Sequence, residues 1–122
     1  MEKILSKELL SILLKQLVVT EFYISNKTIV YTSCAKPEPS EWQYISIYEI
    51  AHLCKLYAVD KQYTLSSCVR CNGLDNDTYE AKLSGIPKIF YADTEVEAVY
   101  MATAWVYLRE VGRKDAFQGE TR

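Results

Sequence analysis

Apolar residues recur along this chain with two different spacings, and the switches between them mark out the elements. Leu9, Leu10, Leu13, Leu14 and Leu17 return every three to four positions, which is one face of an α-helix. That helix is expected to begin near Ser6. Its side chain can accept from a free backbone N–H of the first turn, and Leu5 before it can pack on Leu10. Over residues 20–33 the period drops to two, which predicts a β-hairpin. A two-residue turn at Asn26-Lys27 sets Phe22 and Ile24 opposite Tyr31 and Ile29 on one face. Tyr23, Ser25, Thr28 and Val30 then take the other face. Asn tolerates the left-handed backbone such a turn needs; lysine is a poorer choice there than glycine.

The stretch AKPEPSE over residues 35–41 reads as a surface loop. Ser46-Ile47-Tyr48-Glu49 forms a capping box and predicts a second helix through about residue 59. Its inward face carries Ile47, Ile50, Ala51, Cys54, Tyr57 and Ala58; Tyr48, His52 and Lys55 lie opposite. Two more segments of period two follow, Tyr63-Leu65-Ser67-Val69 and Tyr79-Ala81-Leu83, joined by the polar stretch CNGLDNDT. The apolar run Ile89-Phe90-Tyr91 leads into a last helix, opened by a second capping box from Thr94 to Glu97. Ala98, Met101, Ala102, Trp105 and Leu108 are its expected core stripe, and Gly112 is placed to end it in a left-handed cap. Val96, Val99, Tyr100, Val106 and Tyr107 leave the remaining faces too apolar for water. Part of that surface must meet the sheet, the first helix or another chain.

The predicted order is α-ββ-α-ββ-α, an α+β single domain with an antiparallel sheet packed by helices. The domain is expected to span residues 1–112, with 113–122 as a flexible tail. A length of 122 residues, 49% of them hydrophobic, suits one core. Fourteen Lys+Arg against sixteen Asp+Glu leave a formal charge of −2, which argues against a nucleic-acid binder held by a basic surface. The uncharged run Leu9–Leu14 is too short for a membrane span and has no cleavage site after it, so a cytoplasmic protein is expected. Its four cysteines would then be reduced thiols.

Chemistry-bearing residues are sparse. Cys68-Val69-Arg70-Cys71 is a CxxC, compatible with half a zinc site or a redox pair. Yet His52 and Cys54 point about 200° apart on a helix and do not readily share one metal with it. Cys68 and Cys71 fall on opposite faces of a strand unless the strand has ended between them. His52 is the sole histidine and sits on an outward helix face. Asp75, Asp77 and Glu80 form one acidic cluster, and Asp93, Glu95 and Glu97 another at a helix start, where negative charge is favoured. No nucleophile elbow, phosphate loop or dinucleotide fingerprint is present, and no cofactor is implied. The unusual count is ten tyrosines. After the inward positions are filled, Trp42, Tyr44, Tyr48, Tyr23, Tyr100 and Tyr107 remain, and such rings are enriched where proteins meet.

The segment from Ile45 to Arg109 resembles small phage and prophage proteins of the phage ABA-sandwich type. The resemblance rests on a helix like ISIYEIAHLCKLYA, strands like YTLSSCV and YEAKL, the apolar run IPKIFYADTEVEA and the helix AVYMATAWVYLRE. It implies a phage or mobile-element origin and, for a small protein without an active site, the binding of a host protein. Inhibitors of bacterial defence, such as anti-CRISPR proteins, are of that kind. The expectation is therefore a non-catalytic protein that covers a functional surface of a host protein, such as a nucleic-acid-handling effector. Trp42, Tyr44 and Tyr48 would be its aromatic anchors, and Asp75, Asp77, Asp93 and Glu95 an acidic rim for a basic groove. No direct contact with nucleic acid or membrane is expected. The alternatives are a zinc or redox protein built on Cys68 and Cys71, and a homodimer joined through the last helix.

Overall fold

A computed structural model describes residues 5–16, 18–71 and 77–120, with backbone alone for 70, 71, 77 and 113–120. Ser6 starts the first helix, α1 (Lys7–Leu14), by accepting from Leu9 N–H at 3.1 Å. Leu9, Leu10 and Leu13 are buried with Leu5, as the spacing predicts, and Leu17 lies outside the described residues. Lys15 ends the helix in the left-handed region at φ 57°.

The hairpin follows as β1 (Glu21–Ser25) and β2 (Thr28–Thr32), with Phe22 opposite Tyr31 and Ile24 opposite Ile29. Asn26 and Lys27 both take positive φ, 50° and 62°. That pair of left-handed residues gives a tight turn whose twist matches the strands. A third strand, β3 (Gln43–Ser46), pairs antiparallel with β2 after a short 3-10 turn at Pro39–Glu41. Ile47 N–H then donates to Lys27 O at 3.1 Å, which ties the hairpin turn to the start of α2 (Ile47–Asp60). Ser46 caps that helix, but it satisfies Tyr48 N–H, one residue earlier than a capping box predicts.

The second sheet consists of β4 (Leu65–Cys71), β5 (Asp77–Leu83) and β6 (Ile89–Ala92), in that order and antiparallel throughout. Thr94 Oγ1 accepts from Glu97 N–H at 3.2 Å and opens α3 (Glu95–Glu120). The architecture is α+β, with two three-stranded antiparallel sheets where the sequence predicted two hairpins. Strands β3 and β6 are the additions. Gly112 does not end the last helix, which runs on to Glu120.

Helix α3 is the centre of the domain. It packs against all three strands of the second sheet and, on another side, against α2, which also meets α1. One continuous core results, from Leu10 and Ile29 through Ile50 and Cys54 to Tyr100, Ala81 and Phe90. This explains the apolar girth of α3. Val96, Val99, Tyr100 and Val106 are buried, whereas Leu108, expected in the core stripe, is 66% exposed. Tyr100 hydroxyl donates to Ile47 O at 2.9 Å in that core, so Tyr100 is a packing residue and no surface ring. Among the described residues no helix is long and apolar enough to cross a membrane.

Candidate functional site

Side chains alternate across the first sheet, and its two faces differ sharply. Ile29 and Tyr31 turn inward, to the core. On the outer face one cross-strand row reads Tyr23, Val30 and Tyr44, because Val30 is opposite Tyr23 in β1 and opposite Tyr44 in β3. Trp42, just before β3, lays its ring 5.7 Å from that of Tyr23. Val30 is buried, while Tyr23 is 47% and Tyr44 70% exposed. The result is an aromatic surface on a hydrogen-bonded strand frame. Cross-strand rings of this kind stabilise a sheet by tenths to about 1 kcal/mol a pair, and their outward area stays free for a partner.

Tyr48, the third expected anchor, belongs to a different feature. It is exposed on the first turn of α2 and lines a cleft of about 310 Å³ with His52, Lys55, Glu95 and Val99. The α2 face that the sequence set opposite the core is therefore one wall of a cleft, and α3 is the other. Glu95 also accepts from Ser67 hydroxyl at 3.1 Å, which holds the carboxylate between β4 and α3. Asp93 is exposed in the turn before α3. Asp75 lies outside the described residues, and Asp77 is placed by its backbone at the start of β5. The structure thus brings Trp42 to Tyr23 beside Tyr44, and Tyr48 to Glu95.

The cysteines fall in three settings. Cys54 is buried between α2 and α3, where burial pushes its pKa up to about 12 against a hydrogen bond with Thr103 that lowers it. A thiol so held stays protonated and is a poor nucleophile. Cys34 donates to Glu41 Oε2 at 2.7 Å; that carboxylate raises the thiol's pKa above its ordinary value, and the thiol lowers the carboxylate's. Cys68 is exposed opposite Glu80, 3.4 Å from Glu80 Oε1. Strand β4 continues through Cys71, so the strand does not end inside the CxxC. Among the described residues no group of three or more His, Cys, Asp or Glu is placed to hold a metal ion.

Glu80, a member of the first acidic cluster, alternates in β5 with Tyr79 and Ala81. It is 3% exposed, 3.7 Å from Lys82 Nζ, and its Oε2 is without a hydrogen-bond partner. No sequence signal announces this: an acid alternating with apolar residues normally reads as a wet face. Tyr23, by contrast, was legible from the period-two pattern of the hairpin. Fold and surface together define a small α+β protein with strand-built aromatic area. Compared with family models, curated proteins and solved structures, the chain matches none.

Proposed function

We propose that this chain is a small non-catalytic protein of phage or prophage origin that binds a host protein in the cytoplasm through the outer face of its first sheet. Tyr44 is the anchor, with Tyr23 and Trp42 beside it. The single observation that carries the reading is this row of rings, rigid in backbone and open in side chain. Large aromatic side chains on a fixed frame lose little entropy when a partner covers them, and such residues dominate binding energy at interfaces. Support for a non-catalytic role comes from where the reactive groups sit. Cys54 is closed into the core as a protonated thiol, out of reach of a substrate. Asp93 and Glu95 at the start of α3 would form a separate acidic rim, favouring a partner with basic side chains. Covering a basic groove of a nucleic-acid-handling effector would make the protein an inhibitor of bacterial defence.

The experiment is site-specific photocrosslinking in host cells. A benzophenone side chain at position 44 should link to one host protein, and the same group at Val59, exposed on α2 and away from this sheet face, should link to it weakly or not at all. Tyr23→Ser in the position-44 background should abolish the link while the circular dichroism spectrum is kept. Equal, diffuse labelling from positions 44 and 59 would defeat the proposal.

A further inference from the structure

Strand β6 is an edge of the second sheet: β5 pairs with one side of it and the sheet order ends there. Alternate residues of such a strand turn their N–H and C=O groups away from the sheet, and those groups call for another strand. Beside this edge lies a groove of about 490 Å³. Residues 88–91 form one side. Met101, Ala104, Trp105 and Leu108 form the other, at positions i, i+3, i+4 and i+7 of α3. The lining is apolar except for Lys88. Its ammonium stands 5.3 Å from the Phe90 ring centre, and the Arg109 guanidinium stands 5.1 Å from that of Trp105. Only Asp93 and Thr94 separate β6 from α3. The helix therefore runs back along the strand, which sets Lys88 and Arg109 at the same end of the groove.

We propose that this groove binds an extended peptide segment of a partner protein, added to β6 as a fourth, antiparallel strand. Apolar side chains at alternate positions of the segment would fill the groove against Trp105 and Leu108. Acidic residues at its C-terminal end would meet Lys88 and Arg109. The open backbone edge requires an extended occupant, and an apolar wall beside it selects every second side chain, the physics of strand addition. The charge at the groove end decides between occupants. Two copies paired edge to edge about a two-fold axis keep the parity of their side chains. Lys88 of one copy would then lie directly opposite an even-numbered residue of the other, Phe90, Ala92 or Thr94, and no carboxylate would face it. A foreign segment with acidic residues supplies what a second copy lacks. This surface is on the other sheet from the Tyr44 row and does not depend on it.

The test is a titration of the isotope-labelled full chain, followed by amide NMR, with three acetylated octapeptides. The first alternates threonine and valine and ends in two aspartates. The second ends in two lysines, and the third has proline at the centre of the aspartate peptide. The aspartate peptide should shift the amides of residues 89–92 and the Trp105 indole. The lysine peptide should bind at least about tenfold more weakly, and the proline peptide should give no shifts, since proline cannot donate to the ladder. Leu108→Glu, at an exposed site, should keep the melting temperature and weaken the aspartate peptide by about tenfold or more. Equal binding of the aspartate and lysine peptides, or shifts away from β6, overturns the proposal. So does a β6 edge whose amides change with protein concentration in the absence of peptide, which would mean that a second copy fills the groove.

Discussion

Replacing Tyr100 by phenylalanine probes the central packing scheme with one atom. The residue is fully buried on α3, and its hydroxyl donates at 2.9 Å to Ile47 O in the first turn of α2. Tyr100→Phe keeps the ring and deletes that bond, which costs about 1 kcal/mol. For 122 residues the unfolding entropy near the midpoint is about 0.26 kcal/mol/K, so the melting temperature should fall by about 4 °C. Tyr100→Ala also leaves a cavity and should cost about 3–5 kcal/mol. The pH dependence carries the decisive sign. Burial, with a smaller contribution from Cys54, raises the Tyr100 pKa above its ordinary 10.0. The folded hydroxyl therefore stays neutral while the unfolded one ionises. Its contribution is complete below pH 10 and is lost as pH rises above that. Phenylalanine has no such loss. One pH unit above the unfolded pKa is worth about 1.4 kcal/mol, so the wild-type and Tyr100→Phe stabilities should meet near pH 10.5–11. Urea unfolding at pH 8 and at half-unit steps to pH 11 measures this. A difference that stays constant with pH, or a variant within 1 °C of wild type at pH 8, would refute the buried bond.

Three further substitutions test other parts of the fold. Lys27 holds a left-handed backbone at φ 62°, which costs a non-glycine residue about 1–2 kcal/mol, so Lys27→Gly should raise stability by about 0.5–1 kcal/mol after the entropy of glycine is counted; thermal unfolding reads it. Gly112 lies inside α3, and no atom stands within 4 Å of a Cβ built there, so Gly112→Ala should stabilise by up to about 1 kcal/mol; a loss of stability would restore the helix end predicted there. Cys54 has its pKa raised to about 12 from 9.0 by burial, so stability should fall by about 1 kcal/mol between pH 9 and 10 as the unfolded thiol ionises, and Cys54→Ala should flatten that slope in urea titrations.

Legibility followed the number of repeats each pattern contains. The hairpin could be read to its register because ten strand residues alternate around a recognisable turn. Strands β3 and β6 have four residues each and run within two residues of a helix start. Two alternations are too few to establish a period, and the capping residues that follow read as helix entry. Helix α3 failed differently. Being packed between α2 and the second sheet, it is apolar on several faces, so periodicity alone could not rank Tyr100 above Leu108. Gly112 was read as a terminator because glycine after an apolar run usually is one. The Tyr23–Trp42 contact was beyond reach for another reason: Trp42 follows a proline-containing 3-10 turn, whose path no periodicity describes.

Under the proposed function the rings of the first sheet would do two things, pack the sheet and bind a partner, and exposure distinguishes the residues. Val30 is 4% exposed between Tyr23 and Tyr44 in the cross-strand row, with Trp42 standing against Tyr23. Part of each ring is thus packing, and removing Trp42 or Tyr23 would expose Val30 as well as weaken a partner. Tyr44 differs, since at 70% exposure most of its surface faces water and little of it holds the sheet. A loss of binding in a Tyr44 variant that unfolds at the wild-type urea concentration therefore reports on the partner alone. If Tyr44→Ser instead lowers the unfolding midpoint as much as Trp42→Ser does, the row is only a lid over Val30, and the aromatic surface loses its claim to be an interface.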